Sequence, residues 1–154
     1  LNGRNITFIA VALIMVGVVA INIFAGRRPS TTTINRMDAR NTELVAQGQR
    51  IYVAQCASCH GANLEGQASW QERRADGSMP APPHDESGHT WHHSDALLFE
   101  IVKNGGQASS PPGYKNGMPA FGGTLSDTEI WAVLSYIKST WSTQMQTAQE
   151  QGRS

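Results

Sequence analysis

Cys56-Ala57-Ser58-Cys59-His60 is the stretch on which the reading of this 154-residue chain turns. The pattern C-x-x-C-H is a covalent attachment site for haem c. Two thiols three positions apart near a helix end reach the two vinyl groups of one porphyrin. The next residue then brings an imidazole under the iron. Thioether bonds hold the group even when an axial ligand exchanges. Two other chemistries use a C-x-x-C pair. A redox dithiol sits after a strand and before a helix, whereas this motif ends a helical stretch. A zinc site needs two further ligands; five histidines are present, but no second cysteine pair.

Reading outward, the spacing predicts three helices. The first covers about Thr42 to Gln55, with Asn41 as N-cap and Glu43 in the first turn. Leu44, Gly48, Ile51, Tyr52 and Gln55 fall mostly on one of its faces. The second covers about Asp95 to Asn104. Ser94 is its N-cap, Leu97, Leu98, Ile101 and Val102 form its buried face, and Gly105 stops it. The third covers about Asp127 to Trp141. Ser126-Asp127-Thr128-Glu129 matches the capping box, in which Ser and Glu side chains satisfy free N–H groups at a helix start. No run of β-branched residues alternates convincingly, so few strands are expected. The stretches 61–93 and 106–124 are rich in Gly, Pro and Ser. Loops this long in a small domain need something to pack on.

Around the motif the sequence resembles the class I monohaem cytochromes c, in a membrane-anchored form. The resemblance covers roughly residues 42–141. Gly48-Gln49-Arg50-Ile51-Tyr52 is similar to the family's G-x-x-x-[YF] first helix, whose glycine packs on the last helix where an aromatic residue crosses. Trp131 or Tyr136 would fill that role. Met118-Pro119-Ala120-Phe121-Gly122 resembles the family's sixth-ligand loop, preceded by Asn116-Gly117 and followed by L-S-D-x-E-I. The resemblance implies an all-α, small cytochrome c fold, three to five helices around one covalently bound haem c. It implies Cys56 and Cys59 as the thioether positions and His60 as an axial ligand of the iron. It also implies single-electron transfer with a protein donor and acceptor.

Five methionines compete for the sixth position. Met15 lies in the apolar N-terminal stretch, Met37 in the linker region, and Met145 beyond the last expected helix. Of the remaining two, Met118 is favoured over Met79. Met118 shortly precedes the last helix, and Pro119 stiffens the loop that presents the sulfur. Met79-Pro80 imitates this locally in a proline-rich loop, 19 positions after His60. His/Met ligation raises the reduction potential relative to two histidines.

Other haem contacts are candidates of a second rank. A proximal histidine donates its other ring N–H to a backbone carbonyl; by the resemblance, that carbonyl belongs to Pro82 or Pro83. Trp91, Arg73 and Arg74 are candidates to bond a haem propionate. Tyr114 or Asn116 is a candidate to bond the methionine sulfur. His84, His89, His92 and His93 form a separate cluster. It reads as a solvent-facing loop ahead of the second helix, with a second metal site or a substitute ligand as the rival reading.

Ile6 to Phe24 reads ITFIAVALIMVGVVAINIF, 19 residues with only Thr7 and Asn22 as polar breaks. At ~1.5 Å per residue it spans ~28 Å, close to the ~30 Å hydrocarbon core of a bilayer. It is longer than a signal-peptide core, and Ile23-Phe24-Ala25 is a poor cleavage site. An uncleaved anchor is therefore expected, making lipid a partner. The expected division is an anchor over 1–28, a linker over 29–36, a cytochrome c domain over 37–143 and a polar tail over 144–154. Arg27 and Arg28 would put the domain in the cytoplasm. Haem c assembly outside the cytoplasm overrides that bias. The expected location is the inner (cytoplasmic) membrane, single-pass, with the haem domain on the periplasmic side.

Composition narrows the function classes. All 12 acidic residues and nine of the 12 basic ones follow Pro29, so the domain carries about three net negative charges. Nucleic acid binding, which wants a basic face, is not expected. Two cysteines cannot staple a disulfide-dense scaffold. No paired carboxylates, nucleophile–base pair or phosphate loop offers catalysis, so the expectation is an electron carrier and not an enzyme. Lysines are scarce after the linker, which disfavours steering by a basic face and favours a fixed place in a respiratory or photosynthetic complex. A free-standing tethered carrier is the alternative. A haem-based ligand sensor or peroxidase with a displaceable sixth ligand is the more distant one.

Overall fold

The structure, a computed structural model, describes residues 34–152. The expected membrane helix over 6–24 and the linker up to residue 33 lie outside the described residues. Among the described residues, no helix is long and apolar enough to cross a membrane.

Helix α1 (Thr42–Ile51) begins where expected, because the Asn41 side chain accepts the Leu44 N–H at 3.1 Å. It continues without a break into a π-helical turn, Tyr52–Cys56, and then into α2 (Ala57–His60). In the π turn the Ala57 N–H donates to the Tyr52 carbonyl, five residues back. This widening explains a departure from the expected helix face. One extra residue is fitted into the turn, so Gln55 is exposed and Cys56 packs on the core in its place. Such turns concentrate at functional sites, and here the turn delivers the first cysteine of the motif.

Helix α3 (Asp95–Asn104) has the expected bounds, with the Ser94 hydroxyl accepting the Leu97 N–H and Gly105 at φ +84°. Its buried face is shifted, however. Leu98 is buried and Phe99 stacks on Trp131 at 4.4 Å, while Leu97 is 40% exposed. The aromatic ring supplies more apolar contact than the leucine and sets the roll of the helix.

Helix α4 (Asp127–Ser139) carries the expected capping box, with the Glu129 carboxylate accepting the Ser126 N–H at 2.8 Å. It stops short of Trp141, because the Thr140 and Trp141 N–H groups bond three residues back and tighten the last turn. α4 is the most buried element. α1 crosses it so closely that a Cβ on Gly48 would overlap the Ala132 carbonyl and approach the Tyr136 Cβ to 2.9 Å. Tyr136, not Trp131, is the aromatic residue at that crossing.

Three further features concern the ends of the described unit. Met37, the first residue of the expected domain, is buried and gives its N–H to Asp95 at 3.0 Å. The compact unit starts at Ile34. The stretch expected as a polar tail contains helix α5 (Thr143–Glu150). There Met145 packs on the core, and the buried Lys138 of α4 bonds Gln149 at 2.9 Å and Glu150 at 3.0 Å. Two short 3-10 turns, Thr90–His92 and Gly106–Ser109, complete the elements. Among the described residues, sheet pairing is limited to one isolated parallel bridge, Ser78–Lys115. The all-helical expectation therefore holds.

Candidate functional site

The π turn and α2 present the motif at the end of a continuous helical segment. Cys56 is half-buried, Cys59 is exposed, and neither forms a disulfide. Burial, assisted by the neighbouring Cys59, pushes the Cys56 thiol up to about 11. A redox dithiol instead lowers the pKa of its attacking cysteine. A zinc site has no support either: no group of three His, Cys, Asp or Glu side chains converges among the described residues.

His60 is buried, and its Nδ1 lies 2.9 Å from the Pro82 carbonyl oxygen. A carbonyl only accepts, so the ring proton sits on Nδ1 and Nε2 keeps its lone pair. Burial lowers the His60 pKa and favours the neutral ring. A neutral imidazole with a fixed tautomer and a free Nε2 is what a metal ligand requires.

The Pro82 carbonyl is held by tight packing. A Cβ on Gly66, which sits at φ +69°, would press on the Pro82–Pro83 peptide. A Cβ on Gly88 would overlap the Pro83 carbonyl. The Gly66 N–H also donates to the His60 carbonyl at 2.8 Å. Tyr52, fully buried, donates its hydroxyl to the Gly61 carbonyl at 3.0 Å. That bond ties the start of the π turn to the end of α2.

Met118 is half-buried in a loop laid along the C-terminal end of α3. Its N–H donates to the Asn116 side chain at 2.9 Å, and its carbonyl accepts the Gly106 N–H at 3.1 Å. Phe121 and Gly122 donate to the Val102 and Lys103 carbonyls at 3.0 and 2.9 Å. Asn116, expected as a partner of the sulfur, is thus seen holding the backbone of Met118. Met79 donates its N–H to Lys115 at 3.1 Å, so the two Met-Pro segments belong to paired loops.

The remaining candidates separate. Arg73 lies over the Tyr114 ring at 5.3 Å and bonds the Gly77 carbonyl. Arg74 bonds Gln67 at 2.7 Å. Both arginines are exposed; Arg74 bonds within its own loop, while Arg73 reaches across to Tyr114 of the other. Trp91 packs on His92 at 3.7 Å, and its indole Nε1 is buried with no hydrogen-bond partner. That orphaned donor suits an acceptor on a bound group.

The histidines do not converge on one point. His89 lies between Trp70 and His93, at 5.4 and 5.3 Å. His84 is not a solvent-facing residue. Its ring stacks on His60 with centroids 3.9 Å apart and planes 21° from parallel. Sequence spacing carries no signal for that contact, nor for the Tyr52 hydroxyl bond.

Comparison with known proteins bears on this arrangement. Residues 43–137 match the family described as cytochrome c oxidase, cbb3-type, subunit III. The chain belongs to that family of c-type cytochromes. It is also 31% identical to cytochrome c6 of Diacronema lutheri over 99 residues, 62% of this chain and 94% of the relative. Cytochrome c6 of a Synechococcus species is 30% identical over 95 residues, 60% of this chain and 67% of the relative. Cytochrome c6 of Bumilleriopsis filiformis is 31% identical over 100 residues, 62% and 90%. This c-type cytochrome therefore carries one covalently bound haem c and is a monohaem electron carrier with redox proteins as partners. The donor set fits that group: two thiols, a neutral imidazole with its Nδ1 already engaged, thioethers in a stiff loop, and the unsatisfied Trp91 donor.

Proposed function

We propose that this c-type cytochrome passes single electrons as an anchored subunit of a respiratory or photosynthetic complex, on the extracytoplasmic side of the membrane. Cys56 and Cys59 would form the thioether bonds, and His60 and Met118 would ligate the iron. The observation that carries the site reading is the bond between His60 Nδ1 and the Pro82 carbonyl, which leaves Nε2 free to ligate. When bound, the haem supplies an iron that alternates between Fe(III) and Fe(II).

The chain's own residues lower the cost of that change. Gly66 and Gly88 hold in place the Pro82–Pro83 segment whose carbonyl accepts the His60 Nδ1–H. Asn116 and Gly106 fix the backbone that presents Met118. A packed, preset ligand shell moves little when the iron charge changes, so little reorganisation accompanies each transfer. The soft thioether of Met118 favours the reduced state.

The apolar stretch Ile6–Phe24 supports the anchor, and the family description supports a place in an oxidase-type complex. The second reading is a free-standing tethered carrier. It is favoured by the match across 94% of the Diacronema relative, which shows that a domain of this extent makes a whole protein. Purification of the full chain in mild detergent separates the two. A stoichiometric partner set supports the subunit; a cytochrome that elutes alone supports the carrier. A high-spin ferric spectrum without a thioether charge-transfer band would overturn both and indicate a ligand sensor or peroxidase.

A further inference from the structure

Three regions of the domain lie outside the roles assigned so far. One is the polar cavity of about 500 Å³ between the start of the domain and α5, lined by Arg36, Asp38, Arg40, Asp95, Lys138 and Glu150. Its buried cation, Lys138, is already paired with Glu150 at 3.0 Å, and Arg36 and Arg40 are exposed. Another is the His89–His93–Trp70 stack, which offers two imidazoles and no third ligand. The third is His84, whose contact is with the chemistry itself.

His84 is fixed on both sides of its α-carbon. Its N–H donates to the Leu64 carbonyl at 2.8 Å, and its carbonyl accepts the Trp141 indole N–H at 2.8 Å. Leu64 is buried at φ +68°, an uncommon backbone state for a leucine. The ring so held lies against the face of His60. Its Nδ1 is buried with no hydrogen-bond partner.

We infer that His84 is a positioning residue: its stacked ring is a wall that, together with the Pro82 carbonyl, sets the plane in which the His60 imidazole lies. The Pro82 bond holds one edge of the ring but leaves some rotation about the Cβ–Cγ bond. A parallel ring at 3.9 Å removes that rotation. The inference rests on the reading of His60 as an iron ligand. The orientation of an axial imidazole governs the splitting of the ferric d orbitals, and so is read directly in the spectrum.

The test uses haem-loaded full chain carrying His84→Ala or His84→Phe. The readouts are the g values of the low-spin ferric signal in electron paramagnetic resonance, the reduction potential and the thermal midpoint. His84→Ala is expected to shift and broaden the largest g value and to lower the potential, because water gains access beside His60. His84→Phe keeps the stacked ring and is expected to restore the g values of the natural protein. Identical g values in the natural protein and His84→Ala would overturn the inference, whatever the thermal midpoint does. So would a His84→Phe variant indistinguishable from His84→Ala. A natural protein that lacks a low-spin, covalently attached haem would instead overturn the ligand reading of His60, which separates the two failures.

Discussion

Gly48 and Ala132 meet backbone to backbone where α1 crosses α4, with no room for a Cβ between them. The first helix carries the haem motif at its far end, so this crossing sets where the motif stands relative to the core. Gly48→Ala must push the helices apart or bend one of them. Overpacking of this kind costs about 1–3 kcal/mol. Guanidinium unfolding of the haem-loaded protein should show a lower midpoint of that size.

Gly88 stands against the Pro83 carbonyl, next to the peptide that bonds His60. Gly88→Ala should displace the Pro82–Pro83 segment and weaken the His60 bond. A hydrogen bond on Nδ1 makes an imidazole a better electron donor. Its weakening disfavours Fe(III), so the reduction potential should rise. Protein-film voltammetry measures this; an unchanged potential would show that the Pro82 carbonyl does not tune the ligand.

Met118 and Met79 lie on paired loops, and one substitution at each separates them. Met118→Ala should abolish the charge-transfer band of ferric thioether ligation and lower the potential. Met79→Ala should leave both as they are. The reverse pattern in absorption spectra would assign the sulfur to Met79.

Lys138 is 2% exposed and depends on α5 for its partners. Gln149→Ala removes one acceptor from a buried cation, which costs about 2 kcal/mol for a hydrogen bond to a charged group. Lys138→Met removes the charge along with its needs, and should cost less. Urea unfolding of the two variants gives the order; a larger loss in Lys138→Met would contradict this account.

Ser126 and Glu129 share the capping box of α4. Hydrogen bonds from the Ser126 N–H and hydroxyl hold the Glu129 carboxyl below its ordinary value of 4.5. A depressed carboxyl stabilises the fold above its unfolded value and loses that contribution as pH falls through its folded one. The gap in thermal midpoint between the natural protein and Ser126→Ala should therefore be constant above pH 4.5 and shrink below it. A gap that stays constant down to acid pH would mean that the Ser126 hydroxyl takes no part in holding the Glu129 carboxylate.

Local signals made much of this architecture readable. Asn41, Ser94 and Ser126 cap helices because their oxygens sit three residues ahead of an unpaired N–H, and that is a property of sequence. The proposal for Cys56, Cys59 and His60 rests on the same kind of signal, since its chemistry depends on spacing along one segment. What was hidden needs tertiary contact. A π turn adds no residue type that marks it, so Gln55 took the place of Cys56. The roll of α3 depends on Trp131, more than thirty positions from Leu97 in sequence. α5 has few apolar residues; it folds because Lys138 requires Gln149 and Glu150. His84 looked like part of a polar run and is defined by a ring 24 positions away.

The Ser78–Lys115 bridge is small, yet Met79 and Asp76 also bond Lys115, through its carbonyl and its Nζ. These ties join the stretch that supplies Pro82 to the stretch that supplies Met118. The two long connections are thereby buckled into a single strap. Each shortens the chain that the other must close, which lowers the entropy lost in ordering them. A load on one stretch is thereby shared with the other, so the segment carrying Pro82 and the segment carrying Met118 are mechanically linked.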